Sequence, residues 1–324
     1  METKEYLLQR LISLKNKSPA VPAFQKVTDY IYHCLMFKKF RKYSVTSEYQ
    51  KHINSAVESC VSRNEPIKIS FVFGGYKLWR LEEAPEADWA ELFSLIYFTN
   101  WLKPITDVYP PGVWFDFFSD DAILETMNNV PKADTGRYIE SFSKLLEFIK
   151  RYVPENLSFT LNRVGDQYVT YEEFQKDLDN SIEQVRSNLG GKMPVLTPEQ
   201  IAAIDLNVKV TPDHEDDPYW REKVQLIHDG YSRVSKRRPY YRATDKIMVV
   251  NKSIKDSLAV GTTKNSIVKF WIGAGVLEKV PDGFVDHIFS PKRLETMQLV
   301  KQDISIPELE GKNFQRVKIM RDLE

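Results

Sequence analysis

Apolar residues recur every three to four positions over residues 1–64, the spacing of amphipathic helices. Leu7, Leu8, Leu11, Ile12 and Leu14 form one such face. Val27, Ile31 and Leu35 form a second, and a third helix is predicted from about Ser47 to Ser62. The pattern then changes. Ile67-Lys68-Ile69-Ser70-Phe71-Val72-Phe73 reads as a strand that breaks into Gly74-Gly75-Tyr76-Lys77. Asp88 to Leu102 returns to helical spacing through Trp89, Leu92, Phe93, Ile96 and Trp101. After the turn Tyr109-Pro110-Pro111-Gly112, a second strand runs from Val113 to Phe118 and ends in Ser119-Asp120-Asp121. Ser119 can cap the next helix, with both acids in its first turn, where they suit the helix dipole. A further helix from Asp134 to Arg151 carries Tyr138, Phe142, Leu145, Leu146 and Ile149 on one face.

Strand, helix, strand predicts an α/β fold. The later signals extend it: a short strand at Leu157–Leu161, a charged helix at Tyr171–Leu189, and a helix at Trp220–Val234. Strands are predicted at Lys246–Val250, Ser257–Gly261, Ile267–Leu277 and Phe284–Phe289, and Pro291 starts a last helix. Gly190-Gly191 and Pro194 mark a break, and Pro212 to Pro218 encloses an acidic loop. The chain divides into an N-terminal helical segment (1–64), an α/β domain of catalytic type (65–300) and a polar, loosely attached tail (301–324).

Composition narrows the function. A chain of 324 residues with 42% hydrophobic and 28% charged residues can bury a full core. Lys+Arg and Asp+Glu are both 45, so the net charge is zero, which argues against a general nucleic-acid or anionic-membrane binder. The two cysteines, Cys34 and Cys60, lie in predicted helices and have no zinc-type spacing. Met1 to Lys17 lacks the apolar stretch of a signal peptide, and no window approaches a membrane span. A cytoplasmic, reduced setting is the expectation. Oligomeric state is not legible.

In open α/β sheets ligands bind beyond the carboxyl ends of the strands. Lys77 and Asp120 both fall there. Gly74 and Gly75 allow close backbone approach, and Tyr76 lies beside them. Lys77 can bind a carboxylate or phosphate, or form an imine. Arg80 can clamp a carboxylate. Asp88 and Glu91, three apart, share a helix face. They either favour the helix dipole or face Lys77 and Arg80, where they can orient an amine or exchange a proton.

The ordered set Lys77, Pro85, Asp88-Trp89-Ala90-Glu91, Tyr109-Pro110-Pro111-Gly112, Ser119-Asp120, Val130, Asp134 and Tyr138 resembles the isocyanide (isonitrile) synthase family, also known as the pyoverdine/dityrosine biosynthesis family. The resemblance is best over residues 65–150. It implies a Rossmann-like core sheet with flanking helices. It also implies specialised-metabolism chemistry on the amino group of an amino acid such as tyrosine or tryptophan. Ribulose 5-phosphate supplies the carbon as co-substrate, with no metal or other cofactor. The resemblance assigns catalytic roles to Lys77, Asp88, Glu91 and Asp120. Tyr76, Arg80, Ser119, Lys264 and Ser266 are the candidate substrate contacts, the last two for a phosphate. The C-terminal half departs from the family. Lys246-Ile247-Met248-Val249-Val250-Asn251-Lys252 replaces a strand rich in Arg, Ser and His. Phe270-Trp271-Ile272-Gly273 carries Ile272 where a histidine is expected. Isoleucine neither shuttles a proton nor binds phosphate. A transferase or ligase on an amino-acid-derived substrate, or a non-catalytic small-molecule binder, therefore stands beside the synthase reading.

Three further patterns carry weaker expectations. Gly261-Thr262-Thr263-Lys264-Asn265-Ser266 offers donors for a phosphate or carboxylate, or is a polar hairpin. Lys236, Arg237, Arg238 and Arg242 interleave with Tyr240 and Tyr241, as a solvated loop or an anion contact. His214-Glu215-Asp216 has the spacing of a non-haem iron triad, with His228 or His287 as third ligand.

Overall fold

A computed structural model describes residues 1–18, 24–73, 80–119, 121–163, 165–168, 170–237, 244–250, 256–263 and 273–321. Three helices open the chain: α1 (Thr3–Ile12), α2 (Val27–Leu35) and α3 (Ser47–Ser62). The alternating part follows, with β1 (Ile67–Phe73), α4 (Trp89–Thr106), β2 (Val113–Ser119), α5 (Asp121–Asn128), α6 (Lys132–Ile149) and β3 (Leu157–Arg163). A helical excursion, α7 (Tyr171–Asn188), α8 (Pro198–Asn207), α9 (Pro212–Glu215) and α10 (Trp220–Arg237), leads to β4 (Lys246–Val250) and β5 (Leu258–Ala259). The chain closes with β6 (Ala274–Val280), β7 (Gly283–Phe289), α11 (Pro291–Leu294), β8 (Leu299–Asp303) and β9 (Arg316–Met320).

The first five strands form one parallel sheet in the order β3-β2-β1-β4-β5. This is an α/β fold, as the strand–helix–strand pattern predicts, with the Rossmann-type strand order that the family resemblance implies. Strand side chains alternate between faces. On one face Phe71, Phe115, Phe117 and Phe159 stand in successive strands. Phe98 of α4 stacks on Phe115 at 5.0 Å, and Phe142 of α6 meets Phe117 edge-on at 5.1 Å. Ile53, Val57 and Cys60 of α3 extend the same buried cluster over Ile247 and Val249. The N-terminal helices are therefore part of the core.

The last four strands make a second sheet, β7-β6-β9-β8, packed on α4 and α1. The expectation of a loose polar tail is thus corrected. Residues 299–320 supply two strands, and Ile306, Phe314 and Val317 sit in the main core. Among the apolar positions of this segment, Lys301, Asp303 and Arg316 lie outward, which makes it read as polar.

At the amino end of the large sheet, Lys68 Nζ lies 2.7 Å from Asp245 Oδ2 and 2.8 Å from Glu65 Oε2, and Arg63 reaches Asp245 at 2.8 Å. The Lys68 ammonium holds the Asp245 carboxyl below its usual range. A depressed folded-state pKa adds stability above the unfolded value, about 3.9, which is lost as pH falls through the folded one. Urea unfolding of wild type and Asp245→Asn should differ at neutral pH, and the gap should close below the ordinary carboxylate range. An unchanging gap would mean that the carboxylate's charge is not what stabilises.

Candidate active site

The strand order reverses direction between β1 and β4, so the crevice at their carboxyl ends is where such a sheet takes ligand. The stretches that follow β1 and β4, residues 74–79 and 251–255, lie outside the described residues. So do Tyr76, Lys77, Asp120, Lys264, Ser266 and Ile272 among the positions singled out from sequence.

The described residues build the frame of that edge. α4 begins with a capping box in which each partner satisfies the other's exposed backbone. Asp88 Oδ1 accepts from the Ala90 N–H at 2.7 Å. Glu91 Oε2 accepts from the Asp88 N–H at 2.8 Å, and Glu91 Oε1 accepts from the Tyr138 hydroxyl at 3.2 Å. Asp88 is 1% exposed and Glu91 0%. Burial, with Glu91 adding to it, pushes the Tyr138 hydroxyl well above its ordinary pKa, so it stays a donor. The two acids thus cap the start of α4.

The C-terminal sheet clamps the segment entering α4. Asn313 Nδ2 donates to the carbonyls of Glu83, Glu86 and Ala87, and Trp89 Nε1 donates to the Arg316 carbonyl at 2.6 Å. Lys318 pairs with Glu82 and Glu83. Gly275 of β6 lies flush on the helix start, where a Cβ would come within 2.6 Å of the Ala90 nitrogen. Ser119 ends β2, buried, on the face shared with Phe115 and Phe117, hence on the same side of the sheet as α4. Arg80 is half-buried, donates through Nη2 to the Asp205 carbonyl of α8 at 2.9 Å, and has its pKa lowered by burial.

The opposite face of the sheet holds a polar cluster that the sequence reading missed. Asp116, in mid-β2, is fully buried and accepts from Thr160 Oγ1 and Asn162 Nδ2 of β3, both at 2.6 Å. Trp114 Nε1 donates to the same Thr160 hydroxyl at 2.7 Å, and the Lys246 ammonium lies 5.0 Å from the Trp114 ring centre. Burial lowers the Lys246 pKa, with Asp116 and Asp245 opposing. Lys68, Ser70, Trp114, Asp116, Ser158, Thr160 and Asn162 alternate with apolar residues. That alternation is visible in the sequence once a strand is read as two faces.

The remaining expectations separate. Gly261 donates its N–H to the Phe40 carbonyl at 2.9 Å, and Thr262 and Thr263 are buried. The described part of that loop is thus packed inward. Arg41 bridges to Val260, which ties the basic stretch after α2 to the sheet edge. His214 caps α9 and lies against Trp220, His228 contacts Gln225 and Asp229, and His287 meets Glu278 at 2.7 Å. No group of three possible metal ligands forms among the described residues, so the iron triad is not assembled. No described helix is long and apolar enough to cross a membrane.

The crystal structure of the PvcA protein from Pseudomonas aeruginosa matches with a TM-score of 0.65 over 91% of this chain and 100% of that one. The fold is that of PvcA. Identity between the two is 14%, so the likeness is one of architecture. No protein-family model and no curated protein matches the sequence.

Proposed function

We propose that this chain is a biosynthetic enzyme of the isonitrile-synthase type, acting on the amino group of an amino acid or related amine, with ribulose 5-phosphate as carbon donor. The observation that supports the reading is the PvcA-like fold, together with the order of the motif residues along the sequence. In sequence Lys77 comes after β1 and Asp120 directly after β2, while Asp88 caps α4, Glu91 lies in its first turn and Ser119 ends β2. In this reading Lys77 and Arg80 hold the acidic groups of substrate, or Lys77 activates a carbonyl. Asp120 exchanges protons with the amine, while Asp88 and Glu91 fix the helix start beside it. Tyr76 and Ser119 contact the substrate, and Lys264 and Ser266 take the phosphate.

Conversion of an amine to an isonitrile adds one carbon and removes two hydrogens. Purified protein incubated with tyrosine or tryptophan should therefore yield that mass change only when ribulose 5-phosphate is present. Lys77→Ala should lower the rate by about 10²-fold or more, the scale of a lost positioned acid–base or charge-stabilising group. A product formed without the sugar phosphate would support the second reading, a transferase or ligase on the same fold. The Ile272 substitution favours that alternative. Stabilisation by an amine with no turnover would support a binding protein.

A further inference from the structure

On the outer side of α4, the residues of α1, α2, the turn after α2 and β7 enclose a cleft of about 820 Å³. That is the size of a small-molecule site. Phe37, Phe40, Tyr97, Trp101 and Phe284 give it aromatic walls. Its polar groups are unevenly satisfied. Asp286 is taken by Arg10 at 3.0 Å and by the Tyr6 hydroxyl at 3.5 Å. Lys103, 8% exposed, donates to one neutral acceptor, the Ser13 carbonyl at 3.3 Å, and forms no ion pair among the described residues. Ser18 also lines the cleft, and its buried Oγ has no hydrogen-bond partner among the described residues. The Ser18 N–H donates to Asp107, one turn beyond Lys103, so the two groups share one end of the cleft. A buried ammonium bonded only to a neutral carbonyl, with the Asp107 carboxylate one turn on beyond ion-pair distance and bonded to the Ser18 N–H, and a buried hydroxyl without a partner are both costly. A bound anion satisfies both.

We infer that this cleft is a second ligand site, for a small carboxylic acid with an aromatic body. The carboxylate meets Lys103 and Ser18, and the ring lies among Phe37, Phe40, Tyr97 and Trp101. Asp286 Oδ1 is already bonded to Arg10 and Tyr6, so the assignment is made for the carboxylate and the ring of the ligand. The site is also remote from the sheet's carboxyl edge, since Trp89 to Lys103 spans about 21 Å of helix. The inference does not rest on the proposed function.

The test is calorimetric titration of the full chain with 3-(4-hydroxyphenyl)propionate and indole-3-propionate, each against its neutral amide. Wild type should bind the acids at least tenfold more tightly than the amides. Lys103→Met, which replaces a buried charge with an apolar chain of similar length, should abolish that difference while still binding the amides. Phe37→Ala, at an exposed rim position, should weaken acid and amide alike. Equal affinity of wild type for acid and amide, an acid preference that survives in Lys103→Met, or no saturable binding to millimolar concentration would each overturn the assignment. The wild-type comparison stands even if a variant does not fold.

Discussion

Gly112→Ala should destabilise the protein by more than about 2 kcal/mol, and folded yield should fall with it. Gly112 has φ +72°, where a side chain costs about 1–2 kcal/mol. A Cβ there would also stand 1.8 Å from the Asn156 carbonyl oxygen. Asn156 cannot retreat. Its carbonyl accepts from the Val113 N–H at 2.9 Å, and its side-chain amide donates to the carbonyls of Thr106, Tyr109 and Pro110. The Gly112 carbonyl in turn accepts from the Ile67 N–H at 3.0 Å. One added methyl group would therefore push apart the first residues of β1, β2 and β3 together. Gly136, inside α6 with nothing within 4 Å of its Cβ position, is the control. Gly136→Ala should stabilise by about 0.5–1 kcal/mol through helix propensity alone. Thermal and urea unfolding of the pair decide it; similar effects at both sites would show that the Asn156 contact relaxes.

That result bears on the motif that most strongly suggests the family. Tyr109-Pro110-Pro111-Gly112 stands at the amino end of β2, and Ser119 stands at the other, about 20 Å away at strand rise. The turn builds the sheet; the proposed chemistry is assigned to the far edge. A strong motif can thus mark a shared fold while leaving the reaction open, as the 14% identity to PvcA also does.

The long periodic elements were legible because tertiary packing uses the same faces that the sequence displays. β1, α4, β2, α6, β3, α7 and β4 fall close to their predicted bounds. α8 was not assigned, although Thr197-Pro198-Glu199-Gln200 spells a capping box with proline at the first turn, and the structure forms it. Its apolar face is short, so periodicity was silent where the cap was not. β8 and β9 were hidden by charged outward positions. At the site, the three-residue spacing of Asp88 and Glu91, read from sequence as a shared helix face, is that of a reciprocal cap, with Asp88 as the extended N-cap residue. Asp116 was hidden by reading Val113 to Phe118 as a uniformly apolar run. The lysines, Asp120 and Ser266 that carry the functional reading fall outside the described residues, so their roles rest on sequence.

Glu91→Ala should cost on the order of 3–4 kcal/mol, since it removes the acceptor of two buried donors, each worth about 1–3 kcal/mol when orphaned. The Asp88 N–H and the Tyr138 hydroxyl both bond to this one carboxylate. The amino terminus of α4 would fray, and with it the surface on which Gly275 and Trp89 pack. Glu91→Gln is the informative partner. Its carbonyl oxygen accepts from Asp88, and its amide can donate to the Tyr138 oxygen, so stability should stay within about 1 kcal/mol of wild type. If the carboxylate only positions α4, turnover in the isonitrile assay should also survive within a few-fold, because geometry is preserved and no proton is lost. If Glu91 transfers a proton, the amide cannot, and kcat should drop by about 10²-fold or more in a protein whose melting temperature is unchanged. The full burial of Glu91 and its bonds to the helix start and to α6 are what the first outcome would rest on. A folded, inactive Glu91→Gln would return this residue to the chemistry of the amine.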